Sequence, residues 1–297
     1  MSIPESQLDT WSHQGSIVQS STTYATISRA LEAKDSGFSG KRYEIFLQGS
    51  YGNDTNIYSE SDVDVVIRLD STYHYDTSKL SPQDLATFNA TDGPATYPYA
   101  EFKADVLAAL QTYFGKASVE IGSKAIKVKA NESRRSADVV VATEFRRYYS
   151  SSFGLGPQYV SGICFFTSSG TRIVNYPKQH SNNLTAKHQG TNMWFKPMVR
   201  ILKNMRSRLT EKGSIAAGGA PSYFLEGLLY NVPPDNFGKN YESTFVAAMN
   251  WLLKADRSKL VCANEEYYLR RDSAPECWPC ADCDGFIDAA IGMWNKW

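Results

Sequence analysis

Between residues 62 and 69 the chain reads Asp-Val-Asp-Val-Val-Ile-Arg-Leu, and in its first half a carboxylate alternates with a β-branched apolar side chain. Successive side chains of a β-strand point to opposite faces, so a strand here sends Asp62 and Asp64 to one face and Val63, Val65 and Ile67 to the other. Aspartate is disfavoured in strands, and two like charges on one face repel unless a cation neutralises them. The pattern therefore calls for a sheet with a covered apolar face and an acidic face that meets a cation.

The flanking pattern supplies the rest of such a sheet. Residues 43–48 read as a strand, and a polar loop then returns the chain to Asp62. Further strands are expected at 119–121, 125–130 and 137–142, with a pair at 162–166 and 171–174 closing the mixed region. Ile17, Tyr24, Ile27 and Leu31 recur at helical spacing and predict one long amphipathic helix over 16–33; Phe102, Val106, Leu110 and Phe114 predict another over 100–114. Residues 70–100, rich in Tyr, Ser, Thr, Asp and Pro, read as a surface excursion. From residue 191 the pattern is helical, with segments at 194–209, 224–229, 241–253 and 284–297. The expectation is an α+β core over residues 1–180, a mixed sheet with helices that includes the N-terminal helix, and a C-terminal helical lobe over 181–297.

A chain of 297 residues with 42% hydrophobic content fills a substantial core. Its 31 Lys+Arg balance 31 Asp+Glu, which excludes the strongly basic field of a duplex-bound protein, so no strong nucleic-acid binding is expected. The first residues lack the basic and apolar regions of a leader, and no run approaches the roughly 18 apolar residues of a membrane span. A cytoplasmic protein with no membrane partner is expected. Five cysteines make a disulfide framework improbable, and Cys277, Cys280 and Cys283, spaced like part of a zinc knuckle, have no second Cys-x-x-Cys pair to complete it.

Two hard cations held by carboxylates suit the transfer of a nucleotidyl group, because they stabilise both entering and leaving oxygens. Asp62 and Asp64 form such a platform, and Asp138, which opens Asp-Val-Val-Val, is the candidate third ligand from a later strand. Upstream, Gln48, Gly49 and Ser50 end a strand; glycine permits close backbone approach to phosphate, and a short hydroxyl adds a donor. On the 194–209 helix, Lys196, Arg200 and Lys203 fall at spacings of four and three and share a face that can meet a triphosphate. Ser222-Tyr223 offers a hydroxyl and an aromatic face, on which a base stacks with roughly 1–3 kcal/mol.

Residues 47–67, Leu-Gln-Gly-Ser-Tyr-Gly-Asn-Asp-Thr-Asn-Ile-Tyr-Ser-Glu-Ser-Asp-Val-Asp-Val-Val-Ile, resemble the signature of the CD-NTase family, the bacterial relatives of cyclic GMP-AMP synthase and oligoadenylate synthase. The resemblance runs the length of the chain and implies a polymerase-β-like nucleotidyltransferase core plus a helical lobe, with the active site in the cleft between them. It matches Gly49 and Ser50 to the triphosphate-binding pair, Asp62, Asp64 and Asp138 to the metal-binding and catalytic carboxylates, Lys203 and Ser222 to phosphate contacts and Tyr223 to the base. The implied cofactor is Mg²⁺, as two ions, with Mn²⁺ as a substitute. The implied reaction joins nucleoside triphosphates such as ATP and GTP into a purine-containing cyclic di- or trinucleotide and releases pyrophosphate. In this family the product is a second messenger that acts on a downstream effector in anti-phage defence, the systems called CBASS. The alternative is a transferase that modifies RNA or protein, or an oligoadenylate-type polymerase; a catalytically inactive nucleotide-binding module is a third reading.

Overall fold

Alternating and continuous β-branched runs pair as strands over Tyr43–Leu47 (β1), Val63–Lys79 (β2), Val119–Ile121 (β3), Ile126–Val128 (β4), Ala137–Ser150 (β5), Pro157–Phe166 (β6) and Arg172–Asn175 (β7). The helices are α1 (Glu5–Ser12), α2 (Val18–Leu31), α3 (Gly49–Gly52), α4 (Pro82–Thr91), α5 (Tyr99–Phe114), α6 (Pro177–Gly190), α7 (Phe195–Glu211), α8 (Ser222–Tyr230), α9 (Tyr241–Lys254) and α10 (Cys280–Asn295). The structure, a computed structural model, describes residues 2–15, 17–58, 62–150, 156–272, 274 and 276–297. It is α+β, with two compact units: Val18–Gln48 with Ser61–Pro177, and Met1–Ile17 with Gly49–Glu60 and Lys178–Trp297.

The first unit is a mixed sheet of order β1-β2-β5-β4-β3, extended by β6 on the distal half of β5 and then β7. β2 and β5 pair in parallel at its centre, and the other pairings are antiparallel. Strands buried on both faces read as near-continuous apolar runs, and accordingly Val63, Val65, Val66, Ile67, Val139, Val140 and Val141 are all buried. Helices α2 and α5 cover one face through Ile27, Leu31, Phe102, Val106 and Leu110.

The expected surface excursion over residues 70–100 is corrected by this unit. β2 continues to Lys79 alongside β5 after a register shift between Leu69 and Tyr73, α4 follows, and Thr72, Phe88 and Tyr97 are buried. Aromatic rings supply the apolar surface that the Ser, Thr and Asp content conceals: Tyr75 meets Phe88 at 4.7 Å between centroids, and Phe88 meets Tyr148 at 5.0 Å.

The second unit is helical, centred on α7, whose Met198, Val199, Ile201, Leu202 and Met205 are fully buried. Leu8 and Trp11 bring α1 against α7, and the Glu5 carboxylate accepts the Tyr241 and Glu242 N–H groups (2.7 and 2.8 Å), satisfying donors at the start of α9. The sequence boundary at residue 180 thus gives way to a unit assembled from three segments, because the apolar face of α1 finds its cover on helices far along the chain. Helix α6 lies outside the sequence reading: only His180 and Leu184 are buried on it, so no apolar stripe announces it. Among the described residues no helix is long and apolar enough to cross a membrane.

Leu202→Ala leaves a cavity in the centre of the helical unit and is expected to cost about 2–5 kcal/mol in a urea denaturation experiment.

Candidate active site

In the sheet unit, the parallel register of β2 and β5 sets Asp64 directly beside Asp138. Adjacent strands lie about 4.8 Å apart, so the two carboxylates neighbour one another on one face while Val63, Val65 and Val139 point into the core. Asp62 stands one residue before β2 and keeps the two-residue spacing to Asp64. The backbone N–H of Gln48 donates to the Asp64 carbonyl (3.0 Å), tying the end of β1 to this strand.

Lys127 sits opposite Asp138 in the β4–β5 register, and its ammonium lies 3.5 Å from the Asp62 carboxylate, which also accepts the Ser136 hydroxyl. Burial, and secondarily the negative charge of Asp62, raises the Asp138 carboxyl above the usual aspartate range, against the opposing pull of Lys127. Among the described residues no three His, Cys, Asp or Glu side chains already converge on one point suited to a metal ion. The donor set still fits a hard divalent cation: carboxylate oxygens only, on neighbouring strands, with a like-charge repulsion that a cation relieves.

The helical unit holds the other expected residues. Gly49 has φ +64°, the left-handed region that glycine enters freely, and Ser50 follows it in the single turn α3. This turn packs against α8, the helix that opens with Ser222-Tyr223. Ser222 Oγ accepts a 3.0 Å hydrogen bond from Arg206 of α7. The Tyr223 ring stacks on His180 at 4.8 Å between centroids with 18° between planes, and its hydroxyl accepts from Asn264 (2.9 Å).

The cationic face of α7 differs from the expectation of an open stripe. Lys203 is 0% exposed and Lys196 7%. Lys196 pairs with Asp54 at 3.0 Å, Arg200 donates to the carbonyls of Asp54 (2.7 Å) and Ser12, and Lys203 donates to the Thr55 carbonyl at 2.8 Å. All three cations grip the loop that follows Ser50. A charge this deep in a helical core needs a bonded partner, and the loop carbonyls supply it.

Sequence reasoning missed Glu226 and its partners. This carboxylate, 2% exposed, accepts from the Thr55 hydroxyl, from Asn53 Nδ2 (3.2 Å) and from His180 Nε2 (2.7 Å). The available signal was a lone acid within the apolar run 224–229, Phe-Leu-Glu-Gly-Leu-Leu. The thiols of Cys262, Cys277 and Cys283 are buried in this unit.

Residues 182–295 match the cGAS/DncV-like nucleotidyltransferase C-terminal helical domain. The chain is 39% identical to a cyclic UMP-AMP synthase of Rhodothermus marinus across 100% of this chain and 99% of that one. It is 38% identical to a cyclic dipurine nucleotide synthase of Elizabethkingia meningoseptica over 82% of each chain. A cyclic dipyrimidine nucleotide synthase of Legionella pneumophila is 37% identical over 78% of this chain and 77% of that one. The solved R. marinus enzyme with Apcpp and Upnpp superposes with a TM-score of 0.87, covering 99% of this chain and 97% of that one. The E. meningoseptica enzyme with GTP and Apcpp gives 0.78, with 98% of each chain covered.

His188, beside the Lys196–Asp54 pair, has its pKa lowered to about 4 by burial and then by the charges of Lys196 and Arg200, against the opposing charge of Asp54. The unfolded chain takes up this proton near the ordinary 6.5 and the folded chain does not, so stability falls as pH drops from 6.5 towards 4. Thermal melts at pH 7, 6 and 5 are expected to show a falling Tm, with His188→Asn removing part of that fall.

Proposed function

The chain belongs to the cGAS/DncV-like nucleotidyltransferase family, and on that premise we propose that it joins two nucleoside triphosphates into a cyclic dinucleotide through one two-metal site. The observation that carries this reading is the Asp64–Asp138 juxtaposition across parallel β2 and β5, with Asp62 two residues away. Full-length likeness to cyclic dinucleotide synthases supports the cyclic product over transfer to RNA or protein.

Asp62, Asp64 and Asp138 would hold two Mg²⁺, with Mn²⁺ as a substitute. When bound, such ions neutralise the triphosphate and stabilise the entering and leaving oxygens. Gly49 and Ser50 receive the triphosphate through backbone approach and a hydroxyl donor, and Gln48 fixes the strand end from which they project. Asp138 orients the attacking hydroxyl of the second nucleotide and takes up its proton. Ser222, with Arg206 behind it, faces phosphate, and Tyr223 contributes to base binding. Lys203 serves the phosphate site through the loop it holds, since its ammonium is buried against the Thr55 carbonyl. The same residues act twice: each attack by a hydroxyl on an α-phosphate forms one P–O bond and breaks the bond to the β-phosphate, releasing pyrophosphate, and after the linear product turns over the second attack closes the ring.

We place at least one purine in the product. Two solved relatives that span 98% or more of this chain at 38% and 32% identity are a c-UMP-AMP synthase and a synthase solved with GTP and Apcpp. A role for the product as a second messenger on an effector in anti-phage defence rests on the family resemblance.

Incubation with labelled ATP, GTP, CTP and UTP, singly and in pairs with Mg²⁺, is expected to yield a phosphatase-resistant nucleotide whose mass names its bases. Absence of any such product with every pair would overturn the proposal. Asp64→Ala is expected to lower turnover by at least 10²–10³-fold, on the order lost with a single transition-state contact, with its circular dichroism spectrum unchanged.

A further inference from the structure

We infer that Glu226 is a positioning residue that sets the shape of the Gly49–Ser50 phosphate turn from inside the helical unit, through Asn53 and Thr55. The connection is continuous in hydrogen bonds. The N–H of Asn53 donates to the Gly49 carbonyl (3.0 Å), and the N–H of Thr55 donates to the Ser50 carbonyl (2.9 Å). The side chains of these same two residues both end on the Glu226 carboxylate. Each backbone carbonyl of the phosphate turn is thus one residue removed from a single buried acid.

That acid is itself held from the other side. His180 Nε2 donates to Oε2 at 2.7 Å, and the positive charge of Lys203, whose ammonium holds the Thr55 carbonyl, also bears on the carboxylate. His180 carries Tyr223 stacked on its ring, so the residue expected at the base and the turn expected at the triphosphate share one anchor. Burying a carboxylate is expensive, and replacing a buried ion pair by apolar groups is often neutral or stabilising. A plain packing role at the centre of Phe-Leu-Glu-Gly-Leu-Leu would be met by a hydrophobic residue; an acid with three donors from residues 53, 55 and 180 instead fixes a conformation. A loop that must present N–H and hydroxyl donors to a phosphate gains from being set in advance, since a misplacement of about 1 Å can cost on the order of 10²-fold in rate.

The inference rests on the proposed triphosphate role of Gly49 and Ser50, and its test separates the two. Hydrogen exchange of the amides of residues 49–57, measured on the full chain without nucleotide, reports the anchor alone. Glu226→Gln is expected to speed exchange at Asn53 and Thr55 by about 10-fold or more, the loss of a charge-assisted contact of at least about 1.4 kcal/mol. With NTPs, the same variant is expected to raise KM for the triphosphate on the order of 10-fold, whereas mere loss of folded protein lowers kcat at unchanged KM. Thr55→Val repeats both effects without touching the acid, and Thr55→Ser, which keeps the hydroxyl, restores wild-type exchange and KM. Wild-type exchange in Glu226→Gln or Thr55→Val overturns the inference, as does faster exchange with an unchanged KM. A wild-type chain that turns over no NTP pair, while exchange responds as expected, overturns the reading of Gly49 and Ser50 as a triphosphate site and leaves Glu226 as the anchor of the turn.

Discussion

The parallel pairing of β2 with β5 is the interaction on which the rest of the arrangement depends. Parallel neighbours cannot be joined by a tight hairpin, so the chain must make a long crossover between them. Here α4, α5, β3 and β4 fill that crossover, and α5 returns to cover the face the two strands share. The in-register contact of residues 64 and 138 is the product of this topology. A slip of one residue would turn every side chain of β2 to the other face and exchange the aspartates for valines. In the observed register the valines of both strands are buried.

Two acids side by side on a sheet are an electrostatic liability, and the structure meets it locally. Lys127 stands across from Asp138 and beside Asp62, and Ser136 donates to Asp62. The helical unit treats its charges in another way. Lys196, Arg200 and Lys203 line one face of α7, yet they turn to loop carbonyls and to Asp54 instead of to solvent. Their contribution is to hold the loop after Ser50, through the Asp54 carboxylate and the carbonyls of Asp54 and Thr55.

Much of this was legible in the residues. The period-two alternation after Asp62 marks the strand, and Asp-Val-Val-Val marks its partner from residue 138, because β-branched residues beside a carboxylate leave few alternatives to a half-buried strand. The stripe of α7 was equally plain, since its apolar residues recur every three or four positions. What stayed hidden had no local signature. Helix α6 has no apolar stripe, burying only His180 and Leu184, and the outer half of β2 looks like a loop by composition because its burial comes from Tyr and Phe rings contributed by α4 and β5. Glu226 meets its partners across more than 170 residues for Thr55 and Asn53 and 46 for His180, separations at which no sequence period applies. The direction of the α7 cations was equally out of reach: spacing reveals a shared face and says nothing of what covers it.

The threading of the chain through its two units bears on how the protein is made. Helix α1 leaves the ribosome well before its cover, α7 and α9, which lies between residues 195 and 254. At about 5–20 residues per second, Leu8 and Trp11 wait roughly 10–50 seconds for the surface that buries them. The loop that carries Gly49 and Ser50 waits as well, because Lys196, Lys203 and Glu226 emerge long after it. The sheet unit, Val18–Gln48 with Ser61–Pro177, can close during that interval. The turn at Gly49 and Ser50 is therefore translated early and Glu226 late, so a chain truncated before residue 226 already carries Asp62, Asp64 and Asp138 but lacks the carboxylate that Asn53 and Thr55 bond.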